Sequence, residues 1–445
     1  MGRRRLAEGL LFSLLLAAAG SASAQSVTRG PYLQMGTPSG IVVKWRTSVA
    51  TNGRVRYGPA PTTLNSAADH GTVTTDHEVV LAGLQPNTKY FYSVGTTATP
   101  LAGGDATHFF VTAPAPGASK PTRIWILGDS GTADANAAAV RNAYLNFTGS
   151  RATDVWLMLG DNAYNDGTDA EYQNAVFNMY PTVLRQTVLW PTLGNHDGHT
   201  ADSATQTGPY YSIFTLPRGG EAGGLASGTE AYYSFDYGNI HFICLESYET
   251  DRSTNGAMMT WLANDLAANT QPWIIAYWHH PPYSKGLHDS DFEIELIEMR
   301  ENALPILESF GVDLVLSGHS HTYERSYQID GHYGTSGTFA AGMKKDGGSG
   351  RADDTGAYTK RSTGPAHHEG AVYAVAGSSG KVNGGPLNHP AMFISLTSLG
   401  SMVLDVNGDR LDATFLDSSG ARRDYFTIVK GEAPPTTPRN LRIVR

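Results

Sequence analysis

The stretch VWLMLGDNAY, residues 155–164, passes from five apolar residues directly into Gly160, Asp161 and, three positions later, Tyr164. An uninterrupted apolar run of this length is typical of a strand that is buried on both faces. The glycine ends the run, and the carboxylate and phenol then follow it. The stretch therefore predicts a buried sheet whose strand ends carry polar, metal-capable side chains.

Five more apolar runs occur in the same part of the chain, and helix-like stretches at 132–147 and 292–310 alternate with them. The full set of runs is 123–127, 155–159, 188–193, 240–245, 273–278 and 312–316. This alternation predicts an α/β fold with buried strands covered by helices. Residues 342–385 are rich in Gly, Ser and Lys and predict long loops.

Most of the runs end in polar residues that can bind metals, namely Asp129, Asp161, Asn195, His279 and His319. Open α/β sheets bind ligands beyond the carboxyl ends of their strands. We therefore expect these side chains to converge at one edge of the sheet.

The chain before residue 113 has a different pattern, with short alternating segments separated by Gly, Pro and Asn turns. This pattern predicts a small all-β sandwich. The stretch LQPNTKY, residues 84–90, resembles the corner of fibronectin type III domains, in which a tyrosine hydroxyl bonds to nearby backbone. A stretch rich in Pro and Ala at 113–121 predicts an exposed linker.

The first 24 residues resemble a secretory leader. Three arginines at positions 3–5 precede an apolar stretch at 10–19 and an Ala-Ser-Ala sequence at 22–24. This is the layout of a cleaved signal peptide. We expect export to the periplasm or the extracellular space, with the mature chain beginning near Gln25.

Composition excludes several functions. The formal net charge of −9 disfavours a nucleic acid partner. No apolar run downstream of the leader reaches the roughly 20 residues that a membrane span requires. The single cysteine, Cys244, rules out a disulfide framework within the chain. Nothing in the sequence indicates the oligomeric state.

Five short signatures follow the apolar runs in order. They are Gly128-Asp129-Ser130-Gly131, Gly160-Asp161-Asn162-Ala163-Tyr164, Gly194-Asn195-His196-Asp197, Trp278-His279-His280-Pro281 and Gly318-His319-Ser320-His321. Each signature alone is a weak signal. Together they place carboxylate, phenol, amide and imidazole groups at the predicted strand ends, which indicates a metal site.

This five-part pattern resembles the purple acid phosphatase family within the calcineurin-like metallophosphoesterases. The resemblance implies an α/β fold in which a two-sheet sandwich flanked by helices follows the small all-β domain. The predicted organisation is a signal peptide at 1–24, an all-β sandwich at 25–113, a linker at 114–121, a catalytic domain at 122–430 and a flexible tail at 431–445.

The resemblance also implies two bound metal ions. One ion would be bound by Asp129, Asp161, Tyr164 and His321, and the other by Asp161, Asn195, His279 and His319, so that Asp161 bridges them. A phenol ionises well below its usual pKa of about 10 only beside a strongly acidic cation. Tyr164 therefore favours Fe(III) at the first position, and Zn, Mn or Fe as a divalent ion at the second.

A water held between two metals would attack the phosphorus, so a general acid is needed for the leaving group. His196 is the first candidate by family position and His288 is the second. Relatives often carry two adjacent histidines where this chain has only His288. His280 either contacts the phosphate or orients its turn, and the sequence leaves both open.

The favoured interpretation is an exported phosphatase that acts on small phosphate monoesters. A phosphodiesterase or nucleotide pyrophosphatase on the same site is the nearest alternative, and an exported non-catalytic binding protein is a third. No basic substrate clamp is evident, because Lys285, Arg325 and Lys381 are scattered and expected on a solvated surface.

Overall fold

The computed structural model describes residues 25–431. The predicted signal peptide at 1–24 lies outside the described residues, as does the predicted tail beyond residue 431. Within the described range no helix is both long and apolar enough to cross a membrane.

The first domain is all-β, and its strands belong to one connected sheet. They are β1 (Val27–Gln34), β2 (Gly40–Gly58), β3 (Ser66–Ala82), β4 (Lys89–Gly95), β5 (Pro100–Gly103) and β6 (Phe109–Val111). The long β2 pairs with β1 near its start and with β4 near its end, while β3 follows it along most of its length. Trp45, Val55 and Tyr92 are buried in the core of this domain. The backbone N–H of Gln85 donates to the hydroxyl of Tyr90 at 3.1 Å, as the corner resemblance implies.

The second domain contains two seven-stranded sheets. Sheet I runs in the order β17 (Tyr358–Lys360), β22 (Arg422–Lys430), β21 (Arg410–Asp417), β20 (Gly400–Asn407), β7 (Thr122–Leu127), β8 (Val155–Met158), β9 (Leu189–Pro191). Sheet II runs in the order β10 (Tyr233–Tyr237), β11 (Ile240–Cys244), β12 (Trp273–Trp278), β13 (Leu314–Ser317), β18 (Val372–Ala376), β14 (Tyr323–Ser326), β19 (Met392–Leu396). A separate pair is formed by β15 (Gln328–Ile329) and β16 (Lys344–Asp346).

Parallel strands lie within each sheet: β7, β8 and β9 in sheet I, and β11, β12, β13 and β18 in sheet II. Buried apolar residues of both sheets belong to one core, which is why these strands are apolar throughout. The remaining strands of sheet I extend it by antiparallel pairing, apart from the edge strand β17, which lies parallel to β22.

The α-helices of the described range are α1 (Ala135–Thr148), α2 (Asp169–Tyr172), α3 (Pro181–Leu184), α4 (Pro209–Ile213), α5 (Ala257–Ala268), α6 (Ile294–Glu298) and α7 (Leu304–Ser309). The Asp134 side chain caps α1 by accepting from the N–H groups of Asn136 and Ala137. A π-helical turn, Met299–Ala303, joins α6 to α7, so the helix predicted at 292–310 is present in an irregular form.

Two predictions are corrected by this topology. The six apolar runs do form strands, and these are divided between two sheets as the family resemblance implies, so the metal-capable residues do not line the edge of a single sheet. The region 342–385 is not only loop, because it contains β18, which pairs with β13 and β14 inside sheet II. This strand is only five residues long and contains two alanines, so it lacks a strong local signal.

Candidate metal centre

The metal-capable residues lie where the parallel strands of both sheets end. Asp129, Asp161 and Asn195 follow β7, β8 and β9 of sheet I, whereas His279 and His319 follow β12 and β13 of sheet II. Each lies within four residues of its strand's last residue. The two sets face each other across the end of the sandwich, so the site needs both sheets.

Three side chains form a first group. The Tyr164 hydroxyl lies 3.2 Å from Asp129 Oδ1 and 3.3 Å from His321 Nε2. His321 Nε2 lies 3.4 Å from Asp129 Oδ1. Three donor atoms that converge this closely can bind one cation.

Three other side chains form a second group. Asn195 Oδ1 lies 3.0 Å from His279 Nε2 and 3.1 Å from His319 Nδ1, and these two nitrogens are 3.2 Å apart. Asp161 adjoins both groups, because its Oδ1 is 3.4 Å from His279 Nε2 and its carboxylate also lies beside Asp129 and His321. This is the arrangement of a carboxylate that could bridge two ions.

Hydrogen bonds to the far ring nitrogens orient the three imidazoles. His279 Nδ1 lies 2.8 Å from the carbonyl of Leu159, and His321 Nδ1 lies 2.7 Å from Asn383 Nδ2. His319 Nε2 lies 3.1 Å from a carboxylate oxygen of Glu293. Each ring therefore directs its other nitrogen to the cluster, as the outer partners of metal-binding histidines do.

The backbone at the site has uncommon geometry. Asp129, Asp161 and His319 have φ angles of 56°, 52° and 65°, a region that non-glycine residues seldom adopt. Gly160 has φ of 88°, and a Cβ atom there would lie 2.5 Å from His279 Nδ1. Such strain persists only where surrounding packing maintains it, and it is found at functional sites.

The donor set fits metal ions electrostatically. Asp129 and Asp161 are almost wholly buried. Burial, followed by the nearby Asp129 and Asp161 carboxylates, raises the pKa of the Tyr164 phenol well above its usual value. A buried group of two carboxylates and a phenol gains most from a cation that shares its charge. The side chains present therefore suit a metal centre.

Asp197 organises the backbone behind the cluster. Its Oδ2 accepts from the backbone N–H of Gly194 at 2.9 Å and from Asn162 Nδ2 at 3.0 Å. The hydroxyl of Tyr172 donates to Oδ1 at 2.6 Å. Burial and then the Asp161 carboxylate raise the pKa of Asp197 to about 7. This one side chain thus connects the turn after β8 with the turn before Asn195.

The histidines predicted to act in catalysis lie around the cluster. His196 Nδ1 lies 2.6 Å from the carbonyl of Asn165, and its ring packs edge-on to Tyr164. The His288 ring centroid is 3.7 Å from that of His319. Both side chains remain partly exposed, at 29% and 26%.

His280 has a different environment. It is buried, with Nδ1 2.9 Å from Ser247 Oγ and its ring 4.3 Å from that of His319. A ring nitrogen of His280 lies within 4.8 Å of ligand atoms of His279 and His319, so His280 adjoins the second group, and its contact with Ser247 suits the orientation of its turn.

Two residues at the site, Glu293 and Asn383, were not found by sequence reasoning, and Lys381 was expected on a solvated surface instead. Glu293 accepts from both His319 and His288, Asn383 bonds to His321, and the Lys381 ammonium lies 3.7 Å from the centre of the Tyr164 ring. Lys381 and Asn383 belong to a loop without periodicity. Glu293 could have been suspected only from its position five residues after His288.

The prediction that Lys285, Arg325 and Lys381 lie on a solvated surface is wrong for Arg325 and Lys285. Arg325 is fully buried and pairs with Asp424 at 2.6 Å. Lys285 is paired with both Asp289 and Asp291 at 2.7 Å. Only Lys381 of the three lies against the candidate ligands.

The two-sheet α/β sandwich and its donor set lie in the part of the chain that is similar to metallophosphoesterases. Residues 122–323 match the family model described as calcineurin-like phosphoesterase. Residues 29–112 match the model described as purple acid phosphatase, N-terminal domain.

Curated relatives agree with these models. Purple acid phosphatase 15 of Arabidopsis thaliana is 30% identical over 285 residues, which cover 57% of this chain and 50% of the relative. Purple acid phosphatase 23 of the same plant is 29% identical over 283 residues, covering 57% of this chain and 58% of the relative. The match thus spans between half and three-fifths of the length of these relatives.

A solved structure shows the same fold. The purple acid phosphatase from yellow lupin (Lupinus luteus) seeds superposes with a TM-score of 0.69, covering 93% of this chain and 78% of that chain at 19% identity. Both domains of this chain are thus similar to those of purple acid phosphatases.

Proposed function

We propose that this protein is an exported hydrolase that cleaves phosphate monoesters at a dinuclear metal site. The observation that carries the proposal is the division of the buried donors into two groups that Asp161 joins. A phenol in one group and an amide with two imidazoles in the other suit ions of different charge.

In this proposal Asp129, Asp161, Tyr164 and His321 bind Fe(III), and Asp161, Asn195, His279 and His319 bind a divalent ion such as Zn, Mn or Fe. When bound, two such ions can orient a phosphoryl group, lower the pKa of a water and stabilise charge on the attacking and leaving oxygens. The outer partners, Asn383 and Glu293, maintain the ring orientations that this binding requires.

Proton donation to the leaving group falls to His196 or His288 in this scheme. Hydrogen bonds to the Asn165 carbonyl and to Glu293 occupy the Nδ1 atoms of the two rings. In both rings Nε2 is then the atom that can give a proton to the departing oxygen. His280 acts as a positioning residue, because it is buried and its ring packs against that of His319.

The substrate is a small phosphorylated molecule rather than a nucleic acid. Lys381 lies at the rim of the cluster on the Tyr164 ring, and within residues 25–431 no carboxylate pairs with it. Its ammonium is therefore available to a phosphate dianion, which carries more charge than a diester. This favours monoesters over the phosphodiesterase alternative.

The domain organisation predicted from sequence completes the proposal. A cleaved leader at 1–24 would export the chain, the all-β unit would span 25–113, and the catalytic unit would span 122–430 after a linker at 114–121. The matches of two separate family models to 29–112 and 122–323 support a division between these units.

The test is hydrolysis of p-nitrophenyl phosphate and of its bis ester across pH, together with metal content and the visible spectrum. Monoester turnover with bound iron and a phenolate-to-iron band that Tyr164→Phe removes would support the proposal. Tyr425→Phe is the control, because Tyr425 also donates to an aspartate, Asp353, but lies elsewhere.

The other outcomes are distinct. Turnover of the bis ester alone would favour the phosphodiesterase. A colourless but active enzyme would retain two-metal hydrolysis and remove the iron. Protein that binds no metal and cleaves neither ester would be the non-catalytic binding protein.

A further inference from the structure

We propose that the all-β domain positions the metal centre by clamping Asp169 between Arg29 and Arg46. This inference rests on the proposed function, because the loop that it stabilises carries the candidate ligand Tyr164. The domain thereby acquires a role in catalysis although none of its side chains belongs to the donor set.

The clamp consists of two guanidinium groups on one carboxylate. Arg29 Nη1 donates to Asp169 Oδ1 at 2.8 Å, and Arg46 donates to Oδ2 at 2.7 Å and to Oδ1 at 3.0 Å. The Arg29 side chain is 2% exposed and lies over the Phe177 ring, 4.5 Å from its centre. Arg29 Nε also donates to Gln173 Oε1 at 2.8 Å. Charge-assisted bidentate contacts of this kind define both distance and orientation.

Asp169 is the first residue of α2. The next carboxylate in that helix, Glu171, holds the loop that follows Tyr164. Glu171 accepts hydrogen bonds from the backbone N–H groups of Asn165, Asp166 and Thr168. Asn165 directly follows Tyr164, and its carbonyl contacts His196. Movement of α2 would therefore displace both a candidate ligand and a candidate acid.

The last residue of α2 extends the same connection. The Tyr172 hydroxyl donates to buried Asp197, which accepts from the backbone of Asn162 and Gly194. These two residues adjoin Asp161 and Asn195. A four-residue helix thus connects the all-β domain with both halves of the candidate centre.

The domain interface has further contacts that do not involve Asp169. The hydroxyls of Tyr32 and Tyr92 donate to the carbonyls of Ile213 and Arg185, both at 2.9 Å, and Lys44 donates to Thr215 Oγ1 at 2.9 Å. Loss of the Asp169 charge should therefore leave the two domains docked, and its effect on the centre can be measured separately.

The experiment compares Asp169→Asn with Asp69→Asn in the full chain. Asp69 and Arg54 both belong to the all-β domain and form a bidentate pair, at 2.5 and 2.7 Å, so Asp69→Asn serves as the matched control. Arg46→Gln removes one of the two guanidiniums and provides a second variant. The measurements are hydrogen exchange over residues 160–172, metal retained after dialysis against a chelator, the visible band, kcat and KM.

We expect Asp169→Asn to speed exchange and metal loss about threefold to tenfold, because two guanidiniums hold the carboxylate but solvent screens it in part, Asp169 being 47% exposed. The band should shift and kcat should fall while KM changes less than about twofold. Arg46→Gln should give a smaller effect in the same direction, and Asp69→Asn should match the wild type.

The inference is overturned if Asp169→Asn lowers the melting temperature but leaves exchange, metal retention and kcat equal to those of Asp69→Asn. The clamp would then only join the domains. Exchange and metal retention do not depend on turnover, so they still decide this inference if the wild type proves to hydrolyse no phosphate ester and the proposed function fails.

Discussion

At the candidate centre, the side chain of Lys381 lies over the aromatic ring of Tyr164. The ammonium lies 3.7 Å from the ring centre, while the hydroxyl of the same ring reaches Asp129 and His321. An ammonium over an aromatic face is stabilised by the ring's quadrupole. Lys381 is therefore located beside the donors without itself being a metal ligand.

Replacement of this lysine should weaken substrate binding. Lys381→Met is expected to raise KM for p-nitrophenyl phosphate about threefold to tenfold at low ionic strength, because a partly exposed ion pair contributes about 1 kcal/mol. The KM of the bis ester, which carries a single charge, should change less. Steady-state kinetics with both esters measure this.

Lys89→Met is the matched control, because Lys89 also lies over an aromatic ring, Phe109, at 3.6 Å in the all-β domain. It should leave KM unchanged. An equal rise of KM in both variants, or none in Lys381→Met, would exclude the phosphate-binding role.

At the scale of elements, the ends of the strands place the ligands. β8 ends just before Gly160, whose positive φ turns the chain so that Asp161 faces the cluster. The side chain of His279, which follows β12 of sheet II, packs closely against this turn. A Cβ atom at Gly160 would lie only 2.5 Å from His279 Nδ1. The glycine therefore satisfies both a backbone requirement and a packing requirement.

Gly160→Ala should displace His279 and lower metal content by at least half in purified protein, with a matching loss of turnover. Gly117→Ala is the control, since Gly117 has φ of 76° but a Cβ atom there would meet nothing within 4 Å, so it tests backbone strain alone. Full metal content in Gly160→Ala, measured by elemental analysis, would contradict this explanation.

A buried histidine joins the β10–β11 hairpin to α5. His241 Nδ1 lies 2.7 Å from Asp236 and Nε2 lies 2.8 Å from Asp265. Burial alone would lower the pKa of His241, but the two carboxylates raise it to about 9. The two carboxylates thus favour the imidazolium in the folded protein below about pH 9.

Stability should depend on pH through this histidine. Its folded pKa is above the value of about 6.5 for an unfolded chain, so its contribution is complete below pH 6.5 and is lost as pH rises through 9. The loss is on the order of 3 kcal/mol. Urea unfolding of wild type and His241→Gln at pH 6 and 10 measures it. The difference in free energy of unfolding between wild type and His241→Gln should be smaller at pH 10 than at pH 6. An equal difference at both pH values would contradict the raised pKa of His241.

At the scale of the whole molecule, a buried ion pair connects the two sheets. Arg325 on β14 of sheet II donates to Asp424 on β22 of sheet I at 2.6 Å, and both side chains are fully buried. Tyr323 and Arg351 also donate to Asp424. The pair lies between sheets that must keep a constant separation if their strand ends are to share one site.

Arg325→Met should lower the free energy of unfolding by about 3–5 kcal/mol, because it leaves Asp424 buried without its main partner. Arg123→Met is the control, since Arg123 pairs with Asp405 inside sheet I and Asp405 is partly exposed. That variant should lose about 1 kcal/mol. If denaturant unfolding showed the same loss of free energy of unfolding in both variants, a special role for the ion pair between the sheets would be excluded.

The sequence by itself determined which segments are buried strands and which side chains follow them. Apolar runs such as 155–159 and 273–278 are local signals, and the Gly-Asp and His-His signatures after them need no distant partner to be recognised. Hydrophobic periodicity and turn chemistry act over a few residues, so they can be read directly.

Only the tertiary structure decided how these segments assemble. The division of the strands between two sheets, the burial of Arg325, and the placing of Lys381 and Asn383 at the centre all depend on contacts between residues far apart in the chain. Such contacts depend on the packing of whole elements, because pairing partners and desolvation are set by the assembled core and not by neighbours in sequence.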